Sequence, residues 1–234
     1  MNIDAALLRA AQEGDAYLRL YRWDPPCLSF GRNEPAASRY DRGAIRKLDV
    51  DTVRRPTGGR AVWHDAEVTY AVAAPSDVFG TLHQSYVAIH EMLATAMCRI
   101  GVSASLAPRP SGRAPRPSAG ACFGSPAGGE IVVDNRKLIG SAQIRTGGAF
   151  LQHGSILLED GQDLVSRVTR GERPQMLATS LHTILERPVG FHEVAEAILA
   201  AAREQWPGVW REESVLPHID GDDSFRDIDW TWRR

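Results

Sequence analysis

The sequence predicts an α+β fold, a mostly antiparallel mixed sheet flanked by helices, and three observations predict it. Residues 130–144, EIVVDNRKLIGSAQI, alternate apolar and polar side chains about an Asp134-Asn135 turn, the pattern of a hairpin. Residues 81–100 carry Leu82, Tyr86, Ile89, Leu93 and Met97 at helical spacing ahead of Gly101, which predicts the longest central helix. Elsewhere strands and helices mix without the strict alternation of a doubly wound sheet, so hairpin pairing should dominate.

The remaining elements follow in order. Ile3, Leu7, Leu8 and Ala11 are spaced for one face of a short helix over residues 2–13, stopped by Gly14. Residues 17–22 (YLRLYR) alternate as a strand, and CLSF at 27–30 gives a second strand after the Pro25-Pro26 turn. A further strand ends at Val53, the stretch 54–65 (RRPTGGRAVWHD) reads as a turn-rich loop, and VTYAVAA from Val68 reads as a buried strand. Residues 107–120 combine Pro, Gly, Ser and three arginines without apolar periodicity, which predicts a mobile loop. Its arginines also suit a lid over substrate or contact with an acidic partner. Gly147-Gly148 marks a turn before the strand AFLQHGSILL, and FHEVAEAILAAAREQW forms an amphipathic helix that should end before Pro207. We expect a single domain over 1–234, with a core of about 1–205 and a short tail at 206–234.

Composition narrows the function. With 43% hydrophobic residues in 234 the chain can bury a core, and a net charge of −2 carries no basic excess for nucleic acid. No stretch reaches the ~18 apolar residues of a membrane span, and the opening MNIDAALLRAAQEGD has an early acid and no long apolar run. A cytoplasmic protein without membrane contact is expected. Three cysteines are too few and too odd in number for a disulfide framework, and Cys27 and Cys98 are expected to pack as small hydrophobes. No His/Cys/Asp cluster has metal-ligand spacing, so no metal site is expected.

Only two of the 27 basic residues are lysines, Lys47 and Lys137. Arginine supplies a permanent charge, whereas lysine supplies an amine that can titrate, so Lys137 is a candidate for acid–base work. The loop at 54–65 is the most specific local signal. Arg54, Arg55 and Arg60 surround a Thr57-Gly58-Gly59 turn whose glycines allow close backbone approach to a ligand. That composition suits a nucleotide phosphate, the pantetheine phosphate of a thioester donor, or neither.

RRPTGGRAVWHD, followed by NRKLIGSAQ and QHGSILL, resembles the lipoate-protein ligase and octanoyltransferase family, as do the opening MNIDAALL and LYRWDPPCLSFGRNE. The resemblance runs from about residue 1 to about residue 200 and implies the biotin/lipoate-protein ligase catalytic-domain fold. It also implies transfer of an octanoyl or lipoyl group to a lysine of a carrier domain, on a dehydrogenase E2 subunit or the glycine-cleavage H protein. Lys137 would face the acyl carbonyl. Thr57 to Arg60, with Ala61, would line the acyl group, as would Gly140, Ser141, Ala142, Gln143 and Gly154; His64 and His153 would lie in or beside the pocket. For each histidine a structural, hydrogen-bonded imidazole is an equal alternative.

Cys122, fifteen residues before Lys137 in ACFGSPAGGEIVVDNRK, resembles the cysteine of the octanoyltransferase branch. It implies an acyl-enzyme formed from octanoyl-acyl carrier protein, with no tightly bound cofactor. The alternative is a ligase that uses ATP, Mg and lipoate to form lipoyl-adenylate, with Arg54, Arg55 and the glycine turn at the nucleotide. Gly124 and Ala127-Gly128-Gly129 depart from the octanoyltransferase pattern of bulkier or acidic residues.

Overall fold

The computed structural model describes residues 1–107, 129–171, 177–213, 225 and 227–233. Cys122 and all but the first residue of the 107–120 segment lie outside the described residues.

Helix α1 (Asn2–Ala10) runs into a short 3-10 turn and is followed by strands β1 (Tyr17–Tyr21) and β2 (Cys27–Phe30). Two short helices, α2 (Ala36–Arg39) and α3 (Arg42–Lys47), lead to β3 (Asp51–Arg54), β4 (Val62–His64) and β5 (Glu67–Pro75). Next come the long helix α4 (Leu82–Arg99), β6 (Ser105–Leu106), β7 (Ile131–Val133), β8 (Arg136–Thr146) and β9 (Ala149–Leu157). Helices α5 (Asp163–Val168), α6 (Leu181–Leu185), α7 (Phe191–Gln205) and α8 (Ile228–Thr231) complete the described chain.

The mostly antiparallel α+β architecture is the one expected, but the strands divide between two sheets. One has the order β1-β5-β9-β8-β7-β6 and is antiparallel throughout; the other is β3-β2-β4. The parallel pair, β2 with β3, belongs to the smaller sheet, where α2 and α3 cross over between the two strands. Val62–His64, read from sequence as loop, is a strand because it pairs with β2 and is buried on its whole length. Turn chemistry explains the hairpins. Asp134 and Asn135 take φ of 49° and 60°, and Gly147 and Gly148 take 60° and 83°, the left-handed pairs that two-residue hairpin loops need.

Helix α4 begins in a capping box, Thr81 with Gln84. It ends in a Schellman motif, in which Val102 N–H donates to Met97 and Gly101 N–H to Cys98. Its stripe Ile89, Met92, Leu93, Ala96 and Met97 packs with α7 on one face of the large sheet, in a core with Val68, Tyr70, Val72, Leu138 and Ile156. The other face takes α1 and the 3-10 turn after it, through Leu7, Leu8 and Ala11 against Ala71, Ala73 and Leu151. The expectation for Cys98 is corrected: it follows Met97 on the helix and faces outward, exposed. Cys27 is buried, and burial, then Asp51, pushes its thiol up to about 12. None of the described helices is long and apolar enough to cross a membrane.

The small sheet has its own core of Leu28, Phe30, Tyr40, Ile45, Trp63, Val165 and Trp232. It is tied by Arg54, whose side chain is fully buried. The guanidinium donates to the carbonyls of Gly31, Arg32, Trp230, Thr231 and Arg233, joining β3, the turn after β2 and the C-terminal helix. Burial, and then the charge of Arg233, lowers its pKa to about 10, so it remains cationic at neutral pH. A planar fork of donors meets several carbonyls at once, which an ammonium does not. Arg54→Lys should therefore cost about 2 kcal/mol of unfolding free energy, read from urea titration. An unchanged midpoint would show that the C-terminal helix is held by its apolar residues alone.

Candidate active-site cleft

The two sheets do not share a strand ladder, and between them lies a narrow, mostly apolar cleft. Its walls come from the small sheet at Arg55, Val62 and His64, from the β1 end at Tyr21 and Trp23, and from the large sheet at Thr69, Gly140–Ala142 and His153–Ser155. The sequence-derived residues Arg55, His64, Gly140, Ser141, Ala142, His153 and Gly154 are therefore brought together.

The others stand around the cleft rather than in its wall. Thr57 Oγ1 lies 2.6 Å from His153 Nε2 and so braces a wall residue from behind. Gly58 and Arg60 offer their carbonyls to Arg55, whose other amino group donates to Ser29 O and Oγ at 3.0 and 2.6 Å. The Arg60 guanidinium lies 3.8 Å from buried Glu34. Ala61 is buried in the core of the small sheet. Gln143 turns away and donates to Ser85 Oγ at 2.8 Å. The glycine turn serves a backbone contact: a Cβ on Gly31 would sit 1.9 Å from the Gly59 carbonyl oxygen, and Arg32 N–H donates to Thr57 O. Arg54, as described above, does not reach the cleft.

Lys137 lies on β8, three residues before Gly140, and is buried. Its Nζ donates to Glu130 Oε1 at 2.6 Å, a charge-assisted bond inside the protein. Its backbone is pinned as well, with N–H to Leu177 O and Thr179 N–H to its carbonyl. The sequence-derived catalytic pair thus has one member placed beside the cleft-lining strand segment and the other, Cys122, outside the described residues.

Both ring nitrogens of each wall histidine are hydrogen-bonded. His153 Nδ1 donates to Asp4 Oδ2 at 3.1 Å, leaving Nε2 to accept from the Thr57 hydroxyl. Burial lowers the His153 pKa, against the pull of Asp4, and keeps the ring neutral. His64 Nδ1 donates to Glu67 Oε1 at 2.7 Å, and its Nε2 lies 2.5 Å from Ser29 Oγ. The ring stacks on Trp23, centroids 4.5 Å apart. Among the described residues no group of three or more His, Cys, Asp or Glu side chains is arranged to hold a metal ion.

Residues 1–203 match the family described as Lipoyl protein ligase A/B catalytic domain. The chain belongs to this family. Within the family it stands on the octanoyltransferase LipM branch. The LipM of Kyrpidia tusciae is 39% identical over 211 residues, covering 87% of this chain and 77% of the relative. The LipM of Moorella thermoacetica is 38% identical over 191 residues, covering 78% and 70%. Among solved structures, lipoate-protein ligase A bound with ATP matches with a TM-score of 0.79 at 21% identity, covering 99% of this chain and 92% of that one. Protein Ta0514 of T. acidophilum with bound lipoic acid gives 0.78 at 21% identity, covering 99% and 91%. At that identity the two structures establish the shared lipoate-ligase catalytic fold.

Sequence reasoning missed several residues of this family member's cleft and its supports, chiefly Asp4, Tyr21, Trp23, Glu67, Tyr70 and His90. Two of them carried a signal. Asp4 stands one helical turn before Leu7 and Leu8 and two before Ala11, an acid on the buried stripe, and His90 stands between Ile89 and Leu93 on another. Asp4 is fully buried and accepts from Arg19 at 2.7 Å, Tyr21 at 2.9 Å and His153. Burial alone would raise its pKa; the hydrogen bond from His153 and the positive charges of the chain's N-terminal amine and Arg19 outweigh it and hold the carboxyl at about 2.

With a folded pKa of about 2 against an ordinary 3.8, the stabilisation is complete above the ordinary value and is lost as pH falls through the folded one. Asp4→Asn should cost about 2 kcal/mol at neutral pH and flatten the acid limb of the stability curve between roughly pH 4 and 2. A wild-type acid limb in that variant would mean that Asp4 does not anchor the cleft wall.

Proposed function

We propose that the protein transfers an octanoyl group from octanoyl-acyl carrier protein to a specific lysine of a lipoyl carrier domain, through a thioester on Cys122. The observation that carries this reading is the 39% identity to an octanoyltransferase LipM across most of both chains. Cys122 ahead of Lys137 in sequence supports it. The acceptors would be the dehydrogenase E2 subunit, the glycine-cleavage H protein or a similar lipoate-bearing domain. The protein would act in the cytoplasm.

The Cys122 thiolate would attack the octanoyl carbonyl, forming a C–S bond to the enzyme while the carrier-protein sulfur leaves and takes a proton from the Lys137 ammonium. The ammonium of Lys137 would favour the thiolate, because a nearby cation lowers a thiol pKa from ~8.5 toward neutrality. The lysine amine of the acceptor domain would then form the amide bond. Cys122 would leave as thiolate, and the extra amine proton would pass to solvent or to a neutral Lys137. Tyr21, Trp23, Val62 and Ala142 would supply the apolar wall for the acyl chain.

The ATP-dependent alternative asks Arg54 and Arg55 to meet a nucleotide. Arg54 is committed to five backbone carbonyls and Arg55 is folded against Ser29 and its own loop, which weighs against that use. The test is intact-mass spectrometry after incubation with octanoyl-acyl carrier protein and no ATP. An octanoyl adduct on wild type that disappears in Cys122→Ala, together with loss of acceptor octanoylation, is the expected outcome. ATP-dependent lipoylation that survives Cys122→Ala would establish the ligase reading instead. Lys137→Arg should abolish transfer with the fold intact by circular dichroism, because it keeps a charge but removes the titratable amine; near-normal turnover would remove Lys137 from the chemistry.

A further inference from the structure

Behind the cleft wall lies a second histidine system that the proposed reaction does not use. His90, on α4, is fully buried. Its Nδ1 lies 2.8 Å from the Tyr86 carbonyl oxygen, and a carbonyl only accepts, so Nδ1 carries a proton. Burial, helped by the charge of Lys137, lowers its pKa to about 4 and leaves the ring neutral, so Nε2 is a bare acceptor. The group 2.9 Å from Nε2 is Ser141 Oγ, which must therefore donate to it.

That assignment propagates. With its proton given to His90, Ser141 Oγ accepts from the Tyr70 hydroxyl at 2.6 Å, and Tyr70 in turn accepts from Gln152 Nε2 at 3.0 Å. Burial raises the Tyr70 pKa to about 12, so the phenol keeps the proton that it donates. The chain runs one way, from Gln152 through Tyr70 and Ser141 to His90 and the Tyr86 carbonyl. A hydroxyl has one proton and two lone pairs. Ser141 has spent the proton and one lone pair inside the protein, and it alone of the four side chains in this chain borders the cleft. Gly154 makes room for the arrangement, since a Cβ there would meet Ser141 Oγ at 2.8 Å and the Gly140 carbonyl oxygen at 2.3 Å.

We propose that Ser141 presents an acceptor-only oxygen to the cleft, that His90 is the positioning residue which fixes its direction, and that this oxygen receives an N–H of the acceptor lysine's amine during attack on the acyl group. The proposal rests on the octanoyl-transfer reading. An acyl carbonyl needs donors, which Ser141 does not have to give; an attacking amine gains positive charge on N–H groups that need an acceptor. The bond therefore belongs to the second half of the reaction and not to formation of the acyl-enzyme.

The half-reactions can be timed separately by intact mass. Enzyme is charged with octanoyl-acyl carrier protein, the donor is removed, and unmodified lipoyl domain is added. Ser141→Ala should slow aminolysis about tenfold more than acylation, the size of one lost hydrogen bond to a charging group. His90→Phe should shift the ratio in the same direction, whereas His90→Gln, whose amide oxygen can accept from Ser141, should restore most of it. Equal slowing of both halves, no change in either, or a Gln variant no better than Phe would overturn the proposal. If Ser141→Ala is unfolded at the assay temperature, the His90 pair decides. Absence of any acyl-enzyme on wild type would sink the transfer reading and this inference with it, while normal charging with an unshifted ratio would sink the inference alone.

Discussion

One buried cation organises the part of the molecule that walls the cleft. Arg54 gathers five backbone carbonyls from the turn after β2 and from the C-terminal helix, and so fixes where the β2 turn runs. Gly31 in that turn then lies flat under the Gly58-Gly59 loop, at a separation that no side chain would permit. The next residue, Arg55, draws the same loop inward through Gly58 and Arg60 and grips Ser29. Thr57, held by that loop, reaches across to His153 on the large sheet, and His153 reaches Asp4 on the first helix. Without the cation at the base, the path from the C-terminus to the cleft wall loses its first link.

Much of this architecture was legible in the sequence, for physical reasons. The hairpins showed because residues that accept positive φ, Asp134-Asn135 and Gly147-Gly148, stand between alternating runs. The long helix showed because a stop glycine closes a single apolar stripe. The division into two sheets did not show, because a strand pattern states which faces are apolar and not which edge finds which partner. The site was half legible. Cleft glycines and histidines stood out in the motifs that resemble the family, whereas Arg54 looked like a ligand-binding charge. Its partners are backbone carbonyls up to 179 residues away, and carbonyls leave no trace in a sequence. Asp4 and His90 were visible as polar residues on apolar stripes, yet nothing in the chain indicated that each would end a hydrogen-bond path at the cleft.

The polar interior follows a common rule. His153 and His90 each donate from Nδ1 to a carboxylate or carbonyl and accept at Nε2 from a hydroxyl. A neutral imidazole has one donor and one acceptor, so fixing one nitrogen fixes the other, and the hydroxyl beyond it loses its freedom to rotate. Two hydroxyls around the cleft, those of Thr57 and Ser141, thereby have assigned directions. Pre-set dipoles do not reorient when charge develops nearby, and this is the property that transition-state stabilisation requires.

The cleft also has a mechanical property. It opens along the seam between two sheets that share no ladder of backbone hydrogen bonds, and the ties crossing that seam are side-chain pairs such as Thr57 with His153 and Ser29, through His64, with Glu67. Prying the walls apart by a fraction of an ångström stretches a few such pairs and breaks no strand pairing. Any separation of the walls would therefore fall first on these side-chain pairs, while the ladders within each sheet stayed paired.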